Sequence, residues 1–475
     1  LSLADALNLA RGQSPDYLVT QNDEADAVWA VRQAYGALVP TAGVGMGFQY
    51  QAGGTPQVVG GLNSSDFGIS STPPYYTSSW GLNFGYSVSG AILYAPSLLK
   101  ARRRAATANT DAAGAQLDAA VTQQYLAVLQ AQDALKLATE QLASATENLR
   151  LTQAKVNVGS AIGLEAKQAE VERGHAQVAV LKAQNDVAAQ KLQLGQRIGT
   201  ELPADVTLTT TFDVFTPPWS QNELIQRAMQ RQPALRATAA QEDAARAQIK
   251  SARTAYMPSL DFAVGFSGYA RENGDRNLLL QQALAGSQSQ IQQCELYNTI
   301  AAGLTKPLPP QDCSTLVLTP AAQQKLIDNN NAFPFRYTSQ PWYASMRVSL
   351  PIFSGLNRER NLESAKLAAR TAELRTRQQE LATRTAVSTA YATLVTAQKA
   401  FEIEKANREA AAEQLTLEQE RYRVGSSSFI QLQDAQTRKA VADNTYIVAL
   451  YTFQNALATL ESAVGEKLIT PKTGN

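Results

Sequence analysis

The sequence predicts an α+β membrane protein with four lipid-facing β-strands and two very long coiled-coil hairpins, built as an internal duplication. Three observations carry this. Landmark residues recur 266 positions apart: Tyr125 with Tyr391, Gly159 with Gly425, Gly199 with Gly465. Apolar residues fall every seven positions through the long segments. Four shorter stretches alternate apolar and small polar residues.

The copies follow one order. A helical pattern ends at a proline (Pro40, Pro258), then two alternating stretches flank a polar loop, and a very long helical pattern turns at a glycine and runs back. Upstream of the loops the spacing is only 218, from Pro15 to Pro233 and from Pro40 to Pro258, so copy two carries 48 extra residues. Most of them lie between Tyr269 and Trp342. The expected divisions are a helical segment at 1–40, strands and outer loop at 41–94, and a hairpin at 95–200. Copy two then gives a linking segment and helix at 201–257, strands with an enlarged loop at 258–353, a hairpin at 354–465 and a tail at 466–475.

The heptads justify the helices. Val121, Val128, Leu135, Leu142, Leu149 and Val156 form one seam, and Leu137, Leu151 and Val158 a second. Copy two repeats the first seam as Val387, Leu394, Phe401, Arg408, Leu415 and Tyr422. A sustained seven-residue repeat means coiled-coil packing, and two seams mean neighbours on two sides. From about residue 97 to 158 such a helix spans roughly 90 Å.

The strands read as membrane-facing. Val44, Met46, Phe48 and Tyr50 alternate with Gly43, Gly45, Gly47 and Gln49; Leu82, Phe84, Tyr86 and Val88 alternate with Asn83, Gly85, Ser87 and Ser89. Leu260, Phe262, Val264 and Phe266 follow the same rule, as do Trp342, Ala344, Met346, Val348 and Leu350. Only Asp261 and Arg347 are charged on the small-residue faces, and no broad apolar helix face remains to cover such a sheet. These lengths suit tilted spanning strands. Open strand edges are not tolerated in lipid, so several chains must pool their strands; two, three or four would satisfy that. The competing reading is a soluble scaffold of duplicated coiled coils, which has no use for the strands.

Composition narrows the function. The net charge of +1 gives no general pull toward nucleic acid. His175 is the one histidine, within a helical pattern, and Cys294 and Cys313 are the two cysteines, which argues against a zinc centre or a catalytic triad. No cofactor is expected, nor an enzyme. No run of 18 apolar residues suits a transmembrane helix. The opening "LSLADALNLA" fits a processed secretory protein or a trimmed chain. Cys294 and Cys313 share the enlarged loop, where a disulfide is plausible and two free thiols are the alternative. Lys100, Arg102, Arg103, Arg104, Arg358 and Arg360 gather where strand gives way to helix, either meeting anionic lipid headgroups or merely solvated.

"LSLADALNLA" and "ELIQRAMQRQPAL" at the heads of the copies, "VSLPIFSG" after the last strand and the turn "RYRVGSSSFIQLQDAQ" resemble the TolC family of outer-membrane channel-tunnel proteins. The resemblance covers nearly the whole chain. One departure is Ala91, where copy two has Pro351, so the strand-to-helix joints are expected to differ. The resemblance implies a homotrimer with a twelve-stranded outer-membrane barrel in lipid, continued by a helical tunnel through the periplasm. It implies a passive exit duct working with a periplasmic adaptor and an inner-membrane transporter, in efflux or type I secretion.

It also implies roles for residues. The two glycine turns would sit at the periplasmic entrance. Tyr422 with Glu165 would hold it shut, while the family's basic residue is replaced by Ser427 and one of its acids by Gln431. Asp434 would form the remaining ring of carboxylates, whose crowding would resist full ionisation. Val158, Gly159, Val424 and Gly425 would meet the adaptor, or simply pack the turns.

Overall fold

The computed structural model describes residues 1–54, 57–58, 62–63, 74–203, 205–306, 308–469 and 472–473. It divides into a helical unit (Leu1–Tyr35, Tyr94–Ala255, Phe353–Asn475) and a strand unit (Gly36–Leu93, Tyr256–Ile352). The far part of the first outer loop and most of the tail's last residues lie outside the described residues.

In the helical unit, α1 (Leu3–Gln13) begins at a reciprocal cap between Ser2 and Asp5. It ends because Pro15 opens α2 (Pro15–Gly36): proline offers no N–H to continue the ladder and pushes Ser14 to an extended ψ of 117°. Copy two repeats the break between α5 (Gln221–Arg231) and α6 (Pro233–Arg253), where Gln232 has ψ 116°. Each break is met by a glycine that ends a return helix. Gly199, at φ +89°, follows α4 (Gly163–Ile198), and an added Cβ would lie 2.4 Å from the Gln13 carbonyl oxygen. Gly465, at φ +84°, follows α10 (Phe429–Val464), and its Cβ would lie 2.7 Å from Gln232 Cα. Only glycine permits both the angle and the approach.

The seam residues form two related cores. Leu3, Ala6 and Ala10 pack on Val121, Tyr125, Val128, Leu194 and Ile198. Leu224 and Ala228 pack on Val387, Leu394, Leu460 and Val464, with Tyr391 partly buried beside them. Each fully buried aliphatic side chain contributes about 2 kcal/mol of burial free energy. Tyr125 is buried because its hydroxyl has a partner, donating to the Leu1 carbonyl at 2.8 Å.

The long helices are α3 (Gly90–Asn157) and α9 (Asn357–Arg423), each about 100 Å long. α3 starts earlier than the heptads alone placed it and carries Pro96 in its second turn, where the ladder loses the bond an N–H there would donate to the Ile92 carbonyl. The joints do differ. In copy one a single residue, Ser89, separates strand from helix. In copy two residues 350–356 intervene, with Gly355 and Leu356 both at positive φ (62° and 64°). The repeat spacing rises there from 260 (Val88 to Val348) to 266 (Tyr125 to Tyr391), so six of the extra residues sit in this joint.

The strand unit is an antiparallel sheet of β1 (Thr41–Gln51), β2 (Tyr75–Val88), β3 (Ser259–Asn273) and β4 (Tyr343–Ser349), in that order. Register aligns the faces. Leu82 lies opposite Val44 and Phe266, and Phe262 opposite Tyr86 and Met346. On the other face Asn83 opposes Gly43 and Gly265, and Asp261 opposes Ser87 and Arg347. Ser87 Oγ donates to Asp261 Oδ1 at 2.7 Å. β1 and β4 each pair on one side only within the sheet.

The enlarged loop is not merely polar coil. Its extra residues form α7 (Arg276–Ala302) and α8 (Pro320–Asn330). Heptad-like positions Leu280, Ala283, Ser287, Ile291, Cys294, Asn298 and Ala301 are α7's less exposed face, and a disulfide joins Cys294 to Cys313. The mixed Ser, Cys and Asn content of that stripe hid the helix from an apolar-periodicity reading. Asn330 ties the loop back to β3, accepting from the Asn273 N–H at 2.8 Å and donating to its carbonyl at 2.9 Å.

Candidate functional site at the hairpin tips

Both long helices end in the same way. Ser160 N–H bonds to the Lys155 carbonyl at 2.8 Å, and Ser426 N–H to the Arg421 carbonyl at 2.8 Å, a six-residue closure around glycine at φ +75° (Gly159) or +80° (Gly425). The serine hydroxyls back up the same carbonyls, each at 3.1 Å. An added Cβ at either glycine would meet nothing within 4 Å, so only the backbone angle demands glycine here. Val158 and Val424 are exposed at 78% and 73%.

The return helices start unequally. Ser428 and Gln431 form a reciprocal cap at α10, whereas α4 begins at Ile162 with no side-chain cap. Gln431 is thereby occupied by the cap. Ser427 Oγ donates to Glu418 Oε2 at 2.7 Å and also reaches Gln431 at 3.1 Å.

Behind the tips, Leu149, Ala169, Tyr422, Phe429 and Leu432 make one small core in which all four helices meet. Tyr422 is 8% exposed, and its hydroxyl donates to Glu165 Oε2 at 3.4 Å. Burial, with the negative Glu165 beside it, raises the phenol above its ordinary value, so it stays a neutral donor. The sequence reading missed Lys155. Its Nζ donates to the Tyr422 carbonyl at 2.5 Å and lies 3.5 Å from the centre of the Tyr422 ring. It thus satisfies an end carbonyl of α9 and faces the aromatic quadrupole together. The signal was present: both long helices carry a base in the last turn, Lys155 in copy one and Arg421 in copy two.

Asp434 stands on the exposed side of α10, with Arg438 donating to its Oδ2 at 2.8 Å. Sequence reasoning treated Asp434 alone; the structure gives it a cation one turn away. A second bridge between hairpins runs from Gln433 to Glu172 Oε1 at 2.7 Å. Farther along, a cavity of about 450 Å³ separates the hairpins, lined by Glu140, Glu172, Lys439 and Asp443, with exposed His175 at its edge. Among the described residues no group of His, Cys, Asp and Glu could hold a metal ion, and no helix is long and apolar enough to cross a membrane.

The sequence profile of the outer membrane efflux protein family matches residues 6–200, 224–304 and 315–466. Among solved structures, the fold is similar to the CusC channel, with TM-score 0.69 and 17% identity over 98% of this chain and 92% of that one. It is similar to the MtrE outer membrane channel of Neisseria gonorrhoeae in its open state (0.68, 19%, over 98% and 89%) and to the CmeC outer membrane channel of Campylobacter jejuni (0.68, 16%, over 98% and 87%). No match was found among curated protein sequences.

Proposed function

The chain belongs to the outer membrane efflux protein family, and from that premise we propose that three copies form one passive exit duct. Members of this family are outer-membrane channels rather than enzymes. Twelve strands would then close a barrel in lipid, and six hairpin tips would ring the periplasmic entrance. A periplasmic adaptor would dock on Val158, Gly159, Val424 and Gly425, and an inner-membrane transporter would deliver cargo as part of a tripartite efflux pump or a type I secretion system.

One observation carries the reading. The sheet presents Val44, Met46, Met346 and Val348 at 76%, 67%, 69% and 65% exposure, while its two outer strands are each paired on one side only. An apolar face with two free edges is untenable in one copy, and it is answered by lipid outside and further copies at the edges. At the entrance, Tyr422, Glu165 and Lys155 would hold the two hairpins together, and Asp434 with Arg438 would line the constriction.

The test is the state of the full-length protein in its own cells. An outer-membrane protein that runs as a trimer on a denaturing gel unless heated is the expected result. A soluble, elongated species would sink the barrel and leave the scaffold in its place.

A further inference from the structure

The basic residues that follow β2 line a cleft. Two side-chain bonds, Arg102 to Gln248 at 2.8 Å and Gln241 to Asn109 at 2.9 Å, fix α3 and α6 as antiparallel neighbours. Between them opens a cleft of about 630 Å³, lined by Lys100, Arg103, Arg104 and Asp111 of α3 and by Arg236 and Asp243 of α6. The antiparallel register brings Asp243 level with Thr107, about one turn past Arg103 and Arg104. The cleft therefore runs from a tribasic end to an acidic middle. The side chains of Arg103, Arg104, Arg236, Asp111 and Asp243 make no hydrogen bond or ion pair with another described residue, although opposite charges line the same space.

Unpaired cations with an unpaired acid, Asp243, one turn away match a ligand carrying both charges a short bridge apart. We propose that this cleft binds a phosphoethanolamine group: phosphate against Lys100, Arg103 and Arg104, ammonium toward Asp243. Arginine suits phosphate because its planar fork offers paired donors. The source is a phospholipid headgroup. Lys100 lies ten residues into α3, which starts one residue after β2 in the chain. Exposed aromatics with stacked cations stand nearby, Lys100 at 5.1 Å from the Tyr35 ring and Arg32 at 4.5 Å from the Trp29 ring, a pairing typical of membrane interfaces. Only the source of the group rests on the outer-membrane reading.

The experiment is native mass spectrometry of the purified, intact assembly re-lipidated with phosphatidylethanolamine or phosphatidylglycerol. The wild type should retain phosphatidylethanolamine preferentially. Arg103→Gln with Arg104→Gln should lower retention of both lipids about tenfold, since charge-assisted bonds to phosphate are lost. Asp243→Asn should leave phosphate binding intact and abolish the preference for phosphatidylethanolamine. Unchanged retention in the arginine variant, or an unchanged preference in D243N, would overturn the proposal. Binding of soluble phosphoethanolamine without lipid retention would overturn the lipid source. Heat-labile assembly of the same variants on a gel reports separately on the duct.

Discussion

The four glycines at positive φ that follow α3, α4, α9 and α10 fall into two classes, and the difference decides what each tolerates. Gly159 and Gly425 need only the left-handed angle, because a Cβ meets nothing there. Gly159→Ala should cost about 1 kcal/mol and stay local, read as faster hydrogen exchange at the tip with unchanged assembly. Gly199→Ala adds a clash with the Gln13 backbone, so it should lower the yield of folded protein sharply. Lys155 and Tyr422 supply a second contrast. Replacing Lys155 by Met removes a cation–π contact and a charge-assisted bond, each about 1 kcal/mol, and should raise the open probability of the channel in planar bilayers roughly thirtyfold. Lys155→Arg should largely keep it shut. Because the folded-state Tyr422 phenol titrates above its ordinary 10.0, its stabilising proton is fully held below that pH and lost only as pH rises through the higher value. This contact should therefore contribute no pH dependence between about pH 6 and 9.

At the level of elements, the duplication explains what was legible. Heptads marked α3 because its first seam is aliphatic throughout, and α9 because Val387, Leu394 and Leu415 keep the period around Phe401, Arg408 and Tyr422. Pro15 and Pro233 served in the sequence only as repeat landmarks, and the breaks they make came from the structure. The α7–α8 insert was not, since its inner face mixes Ser287, Cys294 and Asn298 with Leu280 and Ile291. Its disulfide closes a separation of 19 residues, which in the chain-entropy account is worth about 3 kcal/mol. Reducing agent, or Cys294→Ser, should expose residues 276–330 to protease while leaving the four strands protected. Persistence of the same cleavage resistance without the bond would assign the insert's stability to its packing instead.

For the whole molecule, the apolar strand face is the feature under most constraint. Met46 lies on it opposite Trp80, and Met46→Arg would put a charge into the hydrocarbon layer at a cost of about 2–4 kcal/mol near its middle. Such a variant should fail to reach the outer membrane. Gly45→Arg, on the opposite small-residue face, should assemble and narrow conductance. Equal outcomes for the two would deny that the faces differ in solvent.

By itself the sequence determined the duplicated plan, the two heptad hairpins, the strand faces and the paired glycine turns, because each depends on local period or on a backbone angle that few residues adopt. Tyr422 and Glu165 were marked only by the family resemblance, which places such a pair around those turns. Only the tertiary structure decided that Lys155 closes over Tyr422, that Arg438 accompanies Asp434, that Gln431 is spent on a cap, and that Arg103 and Asp243 share one cleft. These depend on which helix faces meet and in what register, and a one-dimensional pattern of apolar residues fixes a helix's buried side without fixing the polar neighbours that side brings together.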